Sequence, residues 1–268
     1  MNEYINYFKN LVNQQKNISN YDEIFLRERN CIDSYTGDAK NYNAHFEIIK
    51  RNYPCSFSDY LVPEPFAGDI SNAKIFCVML NPALKGNEFI EQQDISFKNM
   101  LLNNINQNYD SDYPFWPLNP RFSNHDGFEY WNKKFDQGEK KKSLIRKLMK
   151  ETNSSSVDDV KKKISKLFAT IELVPYHSCN YNHSIARELE AFKQTKKFIE
   201  EYLIPRANKG EILLIFRGNK DNNIDLSKAD MSKIVVVEPK SVQSFTFSCE
   251  KNVGSKIIEY IKKNKLMW

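Results

Sequence analysis

The sequence lacks most of the residues and motifs that identify common classes of protein. It contains only 8 glycines and 5 cysteines among 268 residues, and no two cysteines form a C-x-x-C pair. An odd number of widely spaced cysteines argues against a disulfide framework and against a zinc site. The glycine-rich nucleotide loops, the G-x-S-x-G elbow and the H-E-x-x-H helix are also missing, so the enzyme classes that they identify lose their usual support.

Long apolar runs are missing as well. None approaches the roughly 20 residues that cross a bilayer, and the polar start MNEYINYFKN does not resemble a signal peptide. With 41% hydrophobic residues, the chain has enough apolar material for one full core. We therefore expect a globular, monomeric, cytoplasmic protein that has no membrane partner.

The distribution of charge is more informative than its total. The 39 Lys and Arg residues exceed the 34 Asp and Glu residues by five, too small an excess to indicate nucleic-acid binding. Two lysine-rich segments, at 140–150 and 161–166, concentrate positive charge before the second apolar run. They favour either solvated helix faces or contacts with phosphates, and Lys161 and Lys162 are candidates for the second role.

Short apolar runs alternate with helical patterns, which predicts an α/β protein with parallel strands. Strands are predicted at 73–80, 168–174, 211–217 and 233–238. Helices are predicted at about 2–16, 39–52, 90–106, 127–135, 142–151, 156–166, 184–204 and 250–264. We expect a three-layer α/β/α domain over 56–268, with a central, four-stranded, mainly parallel sheet, and a helical N-terminal extension over 1–55 that packs on it.

The first apolar run is the most informative, because it ends abruptly at Asn81-Pro82. A short run rich in branched residues predicts a strand buried on both faces, and proline ends it by removing a backbone donor. Ligands bind at the carboxyl edge of open α/β sheets. Asn81 is therefore a candidate site residue, although an Asn-Pro pair is also typical of an ordinary turn.

The other predicted strands bring further polar and aromatic residues to the same edge. A rigid Pro-rich loop carries Phe115, whose ring is suited either to base stacking or to a buried aromatic plug. The second strand contributes Glu172. The segments after the second and fourth strands contribute Tyr176, His177, Glu238, Lys240 and Ser241. The four histidines are too scattered to predict a metal site.

The order of these motifs resembles that of the uracil-DNA glycosylase superfamily, nearest to its mismatch-specific and single-strand-selective branches. The resemblance covers about residues 66–264. It depends on four collinear segments: Leu80-Asn81-Pro82-Ala83, Tyr113-Pro114-Phe115, Tyr130-Trp131 and Glu238-Pro239-Lys240-Ser241. Met79 and Ala83 replace small residues of the family's first motif, and Glu238 stands where the family has histidine or asparagine. These departures leave open which base is recognised and how the leaving group is stabilised.

The resemblance implies a monofunctional DNA glycosylase that flips a base out of double- or single-stranded DNA and excises it, leaving an abasic site. No cofactor and no metal are needed for that reaction. The implied catalytic residues are Asn81, Glu172 and Glu238, and the implied base-binding residues are Phe115, Tyr176, His177 and Pro82. The implied DNA contacts are Lys240, Ser241, Arg217, Lys161 and Lys162.

The substrate is open at this stage. A damaged or modified pyrimidine is expected, either uracil or a hypermodified cytosine, the latter in defence against phage. Two other classes of function are also open: a nucleic-acid-binding module without activity, and a hydrolase acting on a small nucleoside or sugar phosphate. Convergence of Asn81, Phe115 and Glu172 on one pocket for a flat ring would favour the glycosylase.

Overall fold

The computed structural model describes residues 1–15, 46, 47, 50, 51, 57, 61–136, 143–217, 224–237, 247 and 252–267. The helices are α1 (Asn2–Gln15), α2 (Asn87–Glu91), α3 (Ile95–Ile105), α4 (Asp126–Phe135), α5 (Leu144–Glu151), α6 (Val157–Leu167), α7 (His183–Glu188), α8 (Glu190–Phe198), α9 (Ile204–Asn208) and α10 (Asn252–Lys263). The strands are β1 (Phe66–Ala67), β2 (Ile75–Met79), β3 (Phe168–Glu172), β4 (Leu213–Arg217) and β5 (Ile234–Val237). The predicted α/β class is confirmed, and none of the helices described has the length and apolarity of a membrane span.

The strands form one sheet in the order β1-β3-β2-β4-β5. Both the β2–β4 pair and the β4–β5 pair are parallel. β3 runs parallel to β2, because the Lys74 amide donates to the Leu167 carbonyl before the two strands and the Val174 amide donates to the Leu80 carbonyl after them. The predicted four-stranded, mainly parallel sheet is nevertheless wrong, because a fifth strand, β1, joins the sheet and makes it mixed.

β1 runs antiparallel to β3 at the edge of the sheet. The Glu172 amide donates to the Pro65 carbonyl, whereas the Ala67 amide donates to the Thr170 hydroxyl. Residue numbers therefore rise along β1 as they fall along β3. A strand of two residues is too short for the alternation of polar and apolar side chains that predicts strands from sequence.

β2 lies between β3 and β4, and all five of its residues are buried. Apolar side chains on both faces are typical of a strand with other structure packed on each side. The strand lies within the predicted 73–80, which confirms that prediction. The chain then leaves the sheet through Asn81-Pro82, where proline cannot donate to the ladder.

The helix predicted over 184–204 is divided into several elements. Asn182 caps α7 by accepting hydrogen bonds from two amides of its first turn. After α8, a π-helical turn at Ile199–Leu203 leads into α9, whose first turn contains Pro205. Because proline has no N–H for the preceding turn, the regular helical hydrogen bonding changes there.

The other predicted helices agree with the structure where it describes them. The helix predicted at 90–106 is divided between α2 and α3, and Asp94 caps α3 by accepting a hydrogen bond from the Ser96 amide. Most of the predicted helix at 39–52 lies outside the described residues, and so does the predicted domain boundary after residue 55.

The chain forms two compact units, each built from segments that are distant in sequence. The first unit consists of Met1–Phe66, Leu80–Asn106 and Glu172–Phe198, and the second consists of Ala67–Met79, Gln107–Ile171 and Ile199–Trp268. In the first unit, α1 packs against α3 and α8. The Tyr4 ring stacks on Phe198 there, with 4.1 Å between the ring centroids.

The second unit holds almost the whole sheet and an aromatic cluster beside it. Phe115, Trp131, Phe135, Phe168 and Phe247 pack together, mostly edge to face, and the Phe115 and Phe168 centroids are 5.0 Å apart. Edge-to-face contacts are a favoured geometry for aromatic pairs. The cluster joins α4, the start of β3 and the segment before α10.

Replacing Gly68 by alanine should destabilise the second unit strongly. Gly68 has φ of +99°, and an added Cβ would lie 2.6 Å from the main-chain oxygen of Phe168. A positive φ alone costs an alanine roughly 1–2 kcal/mol, and the overlap adds to this cost. We expect the free energy of unfolding, measured with urea, to fall by about 3 kcal/mol or more.

Gly210→Ala is the matched control, because Gly210 also has a positive φ of +75° but no heavy atom within 4 Å of the added Cβ. It should cost only the backbone contribution of roughly 1–2 kcal/mol. Equal losses of stability in the two variants would contradict the close approach of Gly68 to β3.

Candidate active site

Asn81 lies two residues beyond β2, and its side chain is half-buried. Its amide nitrogen Nδ2 donates to three acceptors within reach. They are the Pro82 carbonyl at 2.9 Å, the Tyr176 carbonyl at 3.1 Å and the Ser178 hydroxyl at 2.9 Å. Two of these acceptors belong to the segment after β3, so the residue after one strand is tied to the loop that follows the neighbouring strand.

These partners determine the orientation of the Asn81 amide. Main-chain carbonyls accept hydrogen bonds and never donate them, so the side-chain atom that faces them must be the nitrogen. The oxygen Oδ1 is therefore turned away from the three acceptors. None of the residues that the structure describes donates to it, so Asn81 presents a fixed acceptor to a ligand or to water.

Main-chain hydrogen bonds hold the two segments of the site together. The Ser178 amide donates to the Pro82 carbonyl at 3.3 Å, and the Leu84 amide donates to the Ser178 carbonyl at 2.9 Å, beside a parallel bridge between Ala83 and Ser178. Ser178 is 2% exposed, and its hydroxyl donates to the Asn180 carbonyl at 3.0 Å. Any displacement of this loop would break several hydrogen bonds at once.

His177 lies on the opposite face of the same extended segment. Successive side chains of an extended chain point to opposite faces, so the contact of Ser178 with Asn81 directs His177 to the other side. There, His177 Nε2 is 3.2 Å from Glu64 Oε1. The imidazole is 3% exposed, and its Nδ1 has no hydrogen-bond partner among the described residues.

The structure therefore brings two of the predicted base-binding residues, Tyr176 and Pro82, to Asn81 through their carbonyls, but not the His177 side chain. Tyr176 contributes its carbonyl to Asn81, and its side chain is buried. Pro82 also contributes a carbonyl. The His177 side chain belongs with Glu64 rather than with Asn81.

Glu172 ends β3, and its side chain is half-buried with Oε2 shielded from solvent. Burial is the main cause that raises the pKa of Tyr4 and the pKa of Tyr181, and the negative charge of Glu172 raises both further. The carboxylate therefore lies near these two phenols in the first unit. It also stands at the carboxyl end of the strand that neighbours β2.

Phe115 is fully buried in the second unit. Its ring makes edge-to-face contacts with Trp131 and Phe168, whose ring centroids are 5.3 and 5.0 Å away. The Phe115 main-chain amide donates to the Ser165 hydroxyl. Core packing is sufficient to account for an aromatic residue here. Its role as a stacking ring for a base stays a prediction.

Both predicted DNA-contacting lysines of α6 have partners within the chain. Lys161 Nζ donates to Asn132 Oδ1 at 2.7 Å. Lys162 Nζ lies 3.3 Å from an Asp112 oxygen and 3.4 Å from an Asp158 oxygen. These contacts give no support to a phosphate-binding role, which stays a prediction.

A pair of cations lies at the carboxyl end of β4. Arg217 ends the strand, and its Nε is shielded from solvent. Lys134, in the last turn of α4, holds its Nζ 4.6 Å from the centroid of the Tyr130 ring. Burial, and next the positive charge of Arg217, lower the pKa of Lys134 to about 8.

The predicted residues after β5 cannot be placed in this geometry. Glu238, Lys240 and Ser241 lie outside the described residues, and Glu238 directly follows the last residue of β5. Their roles stay predictions. Over the described parts of the chain, no cluster of three or more residues has the make-up of a metal site.

Sequence reasoning did not predict the contacts of Ser178 and Glu64. Ser178 directly follows two candidate residues, but nothing in its local pattern shows that it faces Asn81. Glu64 is far from His177 in sequence, and the only local signal is its position between Pro63 and Pro65. Pairs of this kind become visible only when the fold brings the segments together.

No protein-family model, curated protein or solved structure matches the chain. The geometry of the residues is therefore the basis for a functional proposal, and the fixed amide of Asn81 is its most specific element.

Removing the carboxylate of Glu64 should destabilise the first unit. Glu64→Ala would leave both nitrogens of the buried His177 imidazole without a partner among the described residues, and an unsatisfied buried polar group costs about 1–3 kcal/mol. We expect a loss of that size in the free energy of unfolding measured with urea. Glu188→Ala removes an exposed glutamate of α7 and should change stability little; equal effects of the two substitutions would contradict the pairing.

Removing the charge of Arg217 should raise the pKa of Lys134. In Arg217→Gln, we expect the Lys134 resonance in an NMR titration to shift its midpoint upward from about 8, because one of the two causes of the lowered value is gone. A lysine with this pKa loses its charge as pH rises through 8, so attraction of anions should weaken above that pH in the unaltered protein.

Lys133 provides the internal control for this titration, since it is exposed and pairs with Glu129 on the same helix. Its midpoint should be the same in both proteins. An unchanged Lys134 midpoint in Arg217→Gln would mean that the two cations do not interact.

Proposed function

We propose that the protein is a DNA glycosylase of the uracil-DNA glycosylase type, with a three-layer α/β/α fold. It would flip a modified pyrimidine out of DNA and hydrolyse its N-glycosidic bond. The observation that carries the proposal is the Asn81 amide, held in one orientation directly after the central strand β2. The order of the motifs along the chain supports the same assignment.

In this reaction, the oxygen of water bonds to the anomeric carbon of the sugar. The carbon–nitrogen bond breaks, and its electron pair leaves with the base. A carboxylate takes one proton of the water and that proton ends on the departing base, so that the carboxylate is regenerated and the products are an abasic site and the free base. Asn81 Oδ1 is suited to accept a hydrogen bond from the attacking water. A dipole that is already oriented needs no reorganisation as the reaction proceeds.

Glu172 and Glu238 are the proposed carboxylates. One would accept the proton of water, and their negative charge would stabilise the cationic character of the sugar in the transition state. The position of Glu172 at the end of β3, the neighbour of β2, supports its role. The position of Glu238 immediately after β5 supports it as the second candidate.

The remaining proposed contacts divide into base and backbone contacts. Phe115, Tyr176, His177 and Pro82 are proposed at the base, and Lys240, Ser241, Arg217, Lys161 and Lys162 at the DNA backbone. Arg217 has structural support from its position at the end of β4, the other neighbour of β2. Such cations position DNA through its phosphates without reading its sequence.

The direct test is an assay for abasic sites. Oligonucleotides that contain uracil or hypermodified cytosines, in single- and double-stranded form, are incubated with the protein and then cleaved by alkali at any abasic position. We expect cleavage at the modified position in at least one member of the panel and none in unmodified DNA. Binding without any cleavage across the panel would favour a nucleic-acid-binding module instead.

Asn81→Ala should separate catalysis from binding. The substitution removes a preorganised polar group, which costs roughly 10²-fold in rate. We expect the single-turnover rate of base release to fall by about that factor, while the affinity for DNA stays nearly unchanged. An equal loss of both, or an unaltered rate, would make Asn81 a turn residue only.

A hydrolase of small nucleosides or sugar phosphates is the second candidate. The contacts of Lys161 and Lys162 within the chain favour this candidate, because these contacts engage two cations that a glycosylase would use to bind DNA. Free nucleosides and sugar phosphates incubated with the protein can be analysed by chromatography. Hydrolysis of a small substrate without release of a base from any DNA would establish this alternative.

A further inference from the structure

We propose that the acceptors around Asn81 restrict this position to a neutral side chain that donates a hydrogen bond and exclude an ionised carboxylate, so that the site orients a hydrogen-bond donor but takes no proton from it. The identity of that donor, the attacking water or an N–H group of the base, rests on the proposed function. The restriction itself rests only on the contacts of Asn81.

The side of the Asn81 side chain that carries Nδ2, here called its inner side, faces hydrogen-bond acceptors. The carbonyls of Pro82 and Tyr176 cannot donate, and they lie 2.9 and 3.1 Å from Nδ2. The hydroxyl of Ser178 is the third neighbour, and its hydrogen is directed to the Asn180 carbonyl. A donor is therefore required at this side, and the amide nitrogen supplies it.

An aspartate has the same shape as asparagine but the opposite hydrogen-bonding character when it is ionised. Its inner oxygen would face two carbonyl oxygens at about 3 Å, which disfavours the charged form and raises the pKa of the carboxyl. A protonated carboxyl satisfies the same geometry, because its O–H donates inward while its carbonyl oxygen points outward. The site therefore distinguishes a neutral side chain from a charged one of equal size.

A consequence follows for the reaction. An amide oxygen does not accept a proton at neutral pH, so the proton released by the attacking water must go to another group. In the proposed glycosylase, that group is the carboxylate of Glu172 or Glu238. Orientation of water and removal of its proton are thus assigned to different residues.

Asn81→Asp tests the restriction directly. The carboxyl group that the substitution introduces is labelled with ¹³C, and its titration is followed by NMR. We expect a midpoint at least about one unit above the usual value of ~3.9. Asn87→Asp is the control, because Asn87 is exposed in the same unit and undergoes the same chemical change; its midpoint should not be raised.

The rate of base release gives a second readout. Only the protonated form of the variant reproduces the asparagine, so the ratio of the Asn81→Asp rate to the unaltered rate should fall about tenfold for each pH unit above the raised midpoint. Other titratable side chains on the segments around the site, Glu64, Glu172, His177, Lys85 and Glu88, are present in both proteins. Their effects cancel in the ratio.

The unaltered protein provides a measurement that does not depend on folding of the variant. Both side-chain N–H hydrogens of Asn81 lie among acceptors, so they should exchange with solvent more slowly than those of the exposed Asn87. Rapid exchange, or an ordinary midpoint for the introduced carboxyl, would overturn the inference. Failure of every DNA and small-molecule substrate would overturn the proposed function but leave the exchange and titration results as a separate test of the restriction.

Discussion

The hydrogen bonds from Asn81 to two main-chain carbonyls are the constraint on which the candidate site depends. Main-chain acceptors do not change when side chains are substituted, and these two are positioned by the pairing of the segments that follow β2 and β3. The sheet thereby determines both the place and the polarity of one small side chain. A site built in this way can present an oxygen to a reacting group without a cofactor to hold it.

The extended segment that contains His177 and Ser178 makes different polar contacts on its two faces. Ser178 faces Asn81, accepting a hydrogen bond from its amide nitrogen and donating one to the Asn180 carbonyl, whereas His177 faces Glu64 on the other side. A buried polar group without a partner is expensive, and the second nitrogen of His177 has no partner among the described residues. Two residues that are adjacent in sequence therefore lie in different environments on this segment.

In the second unit, contacts within the chain are sufficient to account for an aromatic and a basic residue that were predicted to bind DNA. Phe115 belongs to an aromatic cluster that includes Trp131 and Phe168, and Lys162 sits between two aspartates. Arg217 and Lys134 differ from these, because the positive charge of Arg217 adds to burial in lowering the pKa of Lys134.

The sequence by itself determined the α/β class and a buried strand within 73–80 that is followed by Asn81-Pro82, because apolar runs and proline act locally on the chain. It did not reveal β1, whose two residues are too few to form a pattern and whose pairing with β3 is a long-range contact. Nor did it reveal the partners of Asn81 and His177. Hydrogen-bond partners depend on which distant segments the sheet places side by side and on which face each residue occupies, and only the tertiary structure decides both.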